Sequence, residues 1–357
     1  FDFMNKNAKV SCVVFWEGFP ACGHMLKDLN TRLGSSLQVI ATIPAVPFAE
    51  LGKFLENEII YINSVDQVRN YFHMISVADV FIHTGWSHSV LNDIDKKLVS
   101  TKSGVKKYVF VDNRLKFTLR QFLGAIYFRI FLSKIYDGFI VSGKSSYNLM
   151  RFFGVPPNKI SSGHYGASSY LYPRWSDSFS KSNEVTFIGS LDKRKGADIL
   201  LKGWSEYKNQ GGKMTLNLIG SGEYQDYFKG IDGVNVFGFL QPDESSKILL
   251  RSLVFVLPGR DDNWATVIAE ACASGCIILS TKKVGAVQDL LDSSNGLGSA
   301  LLDDLSFGVP VVGRGSLQST TVSLRFLSWT WSRWKSNMHH RCNNFPFTFS
   351  SFRQSVL

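Results

Sequence analysis

No apolar run in these 357 residues reaches the roughly 18 that a bilayer-spanning helix needs. The nearest candidate, around Phe122 to Leu132, is interrupted by Arg129. The opening, FDFMNKNAKV, has no apolar core of the kind a signal peptide carries. Cysteine is scarce: Cys12, Cys22, Cys272, Cys276 and Cys342 are odd in number and scattered, which argues against a disulfide framework. They read as small buried hydrophobes in a reducing compartment. Among metal-type ligands only His339, His340 and Cys342 cluster, short of the four that structural zinc takes, so no metal is expected. Acidic residues are absent from Leu305 to Leu357, where Arg314, Arg325, Arg333, Lys335, Arg341 and Arg353 contribute +6 of the net +10. This tail reads either as a genuine basic segment or as a non-native end. On both readings the other 304 residues carry only +4, so no nucleic-acid partner is expected.

Short apolar, β-branched runs alternate with helical patterns, the signature of parallel sheets built from βαβ units. Strands are expected at Val10–Phe15, Gln38–Ile43, Glu58–Ile62, Val80–His83, Tyr108–Val111 and Phe139–Val141. Helices are expected at His24–Arg32, Arg114–Lys134 and Ser145–Phe153. After the Ser-rich stretch SDSFSKSN the alternation restarts. Strands are expected there at Val185–Ile188, Thr215–Ile219, Val234–Phe237, Val254–Leu257 and Cys276–Leu279, with helices at Ala197–Tyr207, Asp243–Arg251 and Trp264–Ser274. The expected fold class is α/β: two tandem Rossmann-like, doubly wound domains facing across a cleft. The expected bounds are 1–170, a linker at 171–183, a second domain at 184–304 and an atypical tail at 305–357. Ligands of such sheets bind at the carboxyl ends of the strands.

The richest segment is LVFVLPGRDDNWATVIAEACASGCIILSTKKVGAVQDLLDSSNG, Leu253 to Gly296. A buried strand ends at Pro258, a polar loop follows, and a helix is expected from Trp264 with Asp262 or Asn263 as N-cap and Gly275 as terminator. Backbone N–H groups around Trp264, Ala265 and Thr266 would suit a diphosphate. Helical spacing places Asn263, Val267 and Glu270 on one face. Glu270 is read as either a functional acid or a solvated surface residue.

This segment resembles the donor-site signature of the family-4 retaining glycosyltransferases of GT-B fold (glycosyl transferases group 1). That signature has two acids separated by seven residues and an alanine-rich, Gly-terminated helix. Asp262 stands in for the first acid and Glu270 for the second. The resemblance implies that Glu270 holds the ribose hydroxyls and that Asp262 lies close to the transferred sugar. Ala265 stands where the family usually has glycine. A second motif, EVTFIGSLDKRKGADILLKGW, is similar to the opening of the family's donor domain, a strand, a turn at Gly189 and Lys-Gly at a helix start. Lys195 matches the lysine placed against the donor phosphates. Ser190 occupies the position of a second phosphate-binding arginine, for which Arg194, Lys193 or Arg260 could compensate. Gly220 and Gly222 of LNLIGSGEYQDYF match the loop that approaches the base.

In the first half the resemblance holds in outline. Gly18, with Gly23, matches the Gly-bearing loop after the first strand. The segment DVFIHTGWSH offers His83 and His88 near the family's reacting centre, neither in register. His83 is read as site-lining or as a satisfied structural histidine. RLKFTLRQFLGAIYFRIFLSK, Arg114 to Lys134, is read either as a core helix with snorkelling basic residues or as an attachment to an anionic membrane or lipid-linked acceptor. Together the resemblance implies an enzyme that moves a sugar from a nucleotide-sugar donor to a cell-envelope saccharide or lipid-linked acceptor. It further implies retention at the anomeric carbon, no metal or other cofactor, and a cytoplasmic location at the inner face of the plasma membrane. Two rivals stay open: a sugar-nucleotide epimerase of similar fold, and a non-catalytic binding or scaffold protein derived from the family.

Overall fold

The structure, a computed structural model, describes residues 10–17, 20–44, 55–85, 88–163, 165–168, 171–172, 180–291 and 300–301. They divide into two compact units at Tyr165/Gly166.

The first unit contains strands β1 (Cys12–Trp16), β2 (Leu37–Thr42), β3 (Ile60–Ile62), β4 (Val80–Thr84), β5 (Lys106–Val111), β6 (Gly138–Val141) and β7 (Ile160–Ser162). Its helices are α1 (Pro20–Leu33), α2 (Phe72–Val77), α3 (Ser89–Ser100), α4 (Leu119–Tyr127) and α5 (Lys144–Phe152). The sheet is wholly parallel, in the order β3-β2-β1-β4-β5-β6-β7. Strands such as CVVFW are buried along their whole length because helices cover both faces. Alternation then divides one strand between two cores. Val14 and Trp16 pack with Leu26, Val39 and Ile82, while Val13 and Phe15 pack with Ile40, Phe81 and Leu91.

The second unit repeats the plan with β8 (Ser182–Ile188), β9 (Thr215–Ile219), β10 (Val234–Gly238), β11 (Ser252–Leu257), β12 (Ile277–Ser280) and β13 (Ala300–Leu301). Helices α6 (Ala197–Asn209), α7 (Gln225–Phe228), α8 (Pro242–Arg251), α9 (Thr266–Ala273) and α10 (Val287–Leu290) connect them. Its parallel order, β10-β9-β8-β11-β12-β13, puts the topological switch point between β8 and β11. Both units are thus Rossmann-like, and each expected strand is found within a few residues of its expected bounds.

Three expectations change. The helix expected over Arg114–Lys134 starts only at Leu119, because Phe117 is left-handed (φ 51°) and Thr118 caps α4 by accepting the Gln121 N–H at 3.3 Å. It then widens into a π segment at Phe128–Leu132. The helix expected from Trp264 starts at Thr266, since Ala265 is left-handed (φ 62°, ψ 78°). Asp262 and Asn263 are therefore loop residues and not N-caps, and Asn263 shares no helix face with Glu270. The other end is as expected: Gly275, with φ 72°, closes α9 through its N–H to the Cys272 carbonyl.

Candidate functional site

Two loops leave the carboxyl ends of β8 and β11 and meet at the switch point of the second sheet. The first is organised by Asp192. One carboxylate oxygen accepts the Lys195 backbone N–H at 2.7 Å and the other accepts the Ser190 hydroxyl at 2.7 Å. Burial pushes the Asp192 carboxyl up. These bonds, with the charges of Arg194 and Lys195, outweigh that and hold it below the usual carboxylate range. Ser190 therefore serves the loop's own shape. The turn ends at Gly196, left-handed at φ 81°, where a Cβ would stand 2.0 Å from the Pro258 carbonyl oxygen. Glycine is required because α6 begins against the end of β11. Gly220 is equally constrained, since its Cβ would stand 2.0 Å from the Gly189 carbonyl oxygen. The loop after β9 is thereby seated on the loop after β8, and Leu191 N–H to Ser221 carbonyl (2.9 Å) extends the contact through Gly222.

The second loop is stitched to the first by arginine. The Arg260 N–H donates to the Arg194 carbonyl at 2.8 Å, and its guanidinium grips Asp198 in bidentate fashion at 2.5 and 2.7 Å. That grip is the main reason the Asp198 carboxyl lies below its usual range. Arg260 thus ties the β11 loop to the loop after β8 and to α6. Lys193 and Arg194 remain exposed on the same loop.

Lys195 and Asp262, 67 positions apart, form a short ion pair with side chains only 15% and 10% exposed. The backbone of Asp262 is fixed by Gly285 N–H at 3.0 Å, next to Val284. Three residues on, left-handed Ala265 turns the chain into α9, which has no side-chain cap. The first-turn N–H groups of Thr266 and Val267 are left to neighbours or ligands, with the positive end of the helix behind them. Trp264 is buried beside them, its indole N–H without a partner among the described residues.

Glu270 lies one turn along α9 on the face of Thr266. It is partly buried and accepts a hydrogen bond from the Tyr172 hydroxyl. Burial pushes its carboxyl up to about 7, and the Tyr172 bond holds it from rising further. Tyr172 is itself buried, which raises its phenol well above the usual range, and the Glu270 charge adds to this. The phenol is therefore the donor. The geometry removes the reading of Glu270 as a solvated surface residue.

Residues 173–297 match the family described as Glycosyl transferases group 1. The second unit carries a glycosyl transferases group 1 domain. No curated protein matches the chain in sequence. Solved structures share its fold at low identity. HepE of Anabaena, in complex with UDP and glucose, is 15% identical over 82% of this chain and 86% of its own, with a TM-score of 0.61. WaaG, a glycosyltransferase involved in lipopolysaccharide biosynthesis, is 13% identical over 96% and 98%, with a TM-score of 0.64. A glycosyltransferase from Rickettsia africae is 11% identical over 97% of each chain, with a TM-score of 0.66. These are GT-B neighbours, consistent with two Rossmann-like domains.

Within the group 1 domain the structure brings Lys195, Asp262 and Ala265 together and sets Gly189, Ser190, Gly220 and Gly222 around the adjoining loops. Tyr172 was not legible in sequence, because it falls in an irregular segment nearly a hundred positions before its partner. In the first unit, Gly18 lies outside the described residues. His83 is fully buried in β4, its Nε2 2.9 Å from Asp95, with the rings of Phe81 and Tyr136 beside it. That is the satisfied structural histidine, with no exposed surface to line a site. His88 differs: its Nε2 lies 2.7 Å from Glu17, and both are partly exposed. The two follow β4 and β1, adjacent strands at the first sheet's switch point. Strand order alone places loops 71 residues apart side by side. Among the described residues no group of three or more His, Cys, Asp or Glu side chains is placed to hold a metal ion.

Proposed function

We propose that the chain is a glycosyltransferase that takes a sugar from a uridine-diphosphate sugar and passes it, with retention, to a saccharide or lipid-linked acceptor of the cell envelope. The observation that carries this reading is the Lys195–Asp262 pair, set at the N-terminus of α9 where two loops converge at the switch point of a group 1 domain. The UDP bound by HepE supports the choice of nucleotide.

The chemistry follows from the residues. A diphosphate arriving at the Thr266 and Val267 N–H groups draws the Lys195 ammonium from Asp262 toward its oxygens. Asp262 is then free to accept hydrogen bonds from the sugar's hydroxyls. As the bond between the anomeric carbon and the diphosphate oxygen breaks, negative charge grows on the leaving group, where Lys195 and the helix N-terminus already lie. Such preorganised donors are worth roughly a hundredfold to a thousandfold each in rate. Glu270 orients the ribose, and Tyr172 orients Glu270. No step in this account requires a metal or other cofactor. A front-face displacement within the cytoplasm is the corresponding mechanism and location.

A thermal-shift titration with nucleoside diphosphates and nucleotide sugars tests it, on wild type and Glu270→Ala. At a hundredfold excess over Kd a true ligand stabilises by about 2.7 kcal/mol. A uridine-selective shift lost in the variant supports the donor site. No shift from a well-folded sample favours the non-catalytic alternative, and isomerisation of donor alone would favour an epimerase.

A further inference from the structure

Tyr172 belongs to the segment between β7 and β8, where the Leu171 and Tyr172 N–H groups both turn onto the Ser168 carbonyl, at 3.2 and 2.8 Å. That turn sends a buried phenol in among α8, α9 and the start of β12. There its hydroxyl is hydrogen-bonded with Ser245 and donates to Glu270. Glu270 is thus a carboxyl with a neutral partner, in surroundings where a carboxylate ordinarily needs a cation. The described groups around it supply none. Helix α8 turns Ser245, Ser246, Ile248 and Leu249 inward. Burial pushes the thiols of Cys272 on α9 and Cys276 ahead of β12 up to about 12 and about 11, so neither is charged at neutral pH. The Lys181 ammonium beside Cys276 is spent on the Ser274 carbonyl at 2.6 Å. Neither these groups, nor Asp289 on α10, nor Lys195 and Asp262 ahead of α9 move the Glu270 carboxyl; burial and Tyr172 do.

Burial without a counter-charge favours the protonated acid, and the carboxyl accordingly lies at about 7. A ribose reverses that balance. Its two vicinal hydroxyls both donate, and only the ionised carboxylate has acceptor sites for both as well as for the Tyr172 phenol. Bound ribose therefore favours the charged form that burial disfavours. We propose that uridine diphosphate binds this site with release of a proton from Glu270 to solvent, and that Tyr172 is the positioning residue that sets the pH at which binding strengthens. The inference rests on the donor-site reading and adds a proton to its binding equilibrium. Affinity is low while Glu270 is protonated, rises with pH and levels off above about 7.

The test is the Kd of uridine diphosphate, by calorimetry from about pH 5.5 to about pH 8.5, for wild type, Glu270→Gln and Tyr172→Phe. Melts at each pH confirm that the protein is folded. The ligand's own phosphate titrates at about 6 for all three proteins and cancels in the comparison. From about pH 8 down to about pH 5.5, wild type is expected to lose roughly thirtyfold more affinity than Glu270→Gln does. Tyr172→Phe removes a donor to the carboxylate, so its affinity is expected to rise at higher pH than in wild type. A merely structural Tyr172 would weaken binding equally at every pH. If Glu270→Gln binds too weakly to measure, the displacement between wild type and Tyr172→Phe decides. Parallel pH profiles for wild type and Glu270→Gln would overturn the proposal and leave the donor site standing. A Tyr172→Phe profile that is not displaced would do the same. Folded wild type that binds no uridine diphosphate at any pH would overturn the donor-site reading itself, and this inference with it.

Discussion

Ala265 holds a backbone conformation that L-residues other than asparagine and aspartate rarely adopt, and it does so where the site's helix begins. The left-handed form costs an alanine about 1–2 kcal/mol, while glycine brings an extra chain entropy of about 0.5–1 kcal/mol on folding. Ala265→Gly is therefore expected to stabilise by up to about 1 kcal/mol in denaturant melts. A variant clearly less stable than wild type would show that the methyl's packing outweighs the strain.

Glu270 carries a second prediction at this scale. Its folded carboxyl lies near 7 against an ordinary value of 4.5, so the native state holds the proton more tightly than the unfolded chain does. Its contribution to stability is fully present below the ordinary value and is lost as pH rises toward 7. The loss is on the order of 1–3 kcal/mol after discounting for partial exposure. Subtracting the stability–pH curve of Glu270→Gln from that of wild type isolates this slope. Tyr172→Phe removes the bond that restrains the carboxyl, so the window extends further upward in that variant. A flat difference curve would mean that Glu270 is better solvated than its surroundings indicate. Asp262, Glu270 and Lys195 stood out in sequence only through short motifs that resemble the family's, and spacing alone left Glu270 open between two readings. The Tyr172 contact was not legible, because nothing near Tyr172 points to α9.

At the scale of elements, the expected strands lie within three residues of the observed bounds. Runs such as SLVFVL are buried on both faces and carry their own signal. Helix starts were less legible, since Phe117 and Ala265 enter the left-handed region with side chains that ordinarily avoid it. Strand β7 was missed because ISS is short and polar, and it is strand pairing with β6 that defines it. The contact of α6 with β11 rests on Gly196. Gly196→Ala would set a methyl 2.0 Å from the Pro258 carbonyl oxygen in a left-handed turn. The expected loss is about 2–4 kcal/mol, with a lower Tm and weaker nucleotide binding together. Retained stability would mean that the two loops part readily, and the Lys195–Asp262 pair would then be the measurement to repeat.

Across the whole molecule, each unit has its own parallel sheet and core, so one unfolding free energy does not describe the chain. The proposed donor site is built from the second unit. A uridine diphosphate is accordingly expected to raise hydrogen-exchange protection most in residues 189–196 and 258–270. Protection rising mainly in strands β1 to β7 would move the nucleotide to the other unit. The sequence by itself determined the α/β class, the two-fold repetition of the plan and the identity of the charged residues, because periodicity and local spacing are written along the chain. Only the tertiary structure decided that Lys195 meets Asp262, that Arg260 serves Asp198, that Tyr172 reaches Glu270 and that His83 is buried. Those pairings join residues up to about a hundred positions apart, and strand order, which no local pattern encodes, is what brings them within hydrogen-bond reach.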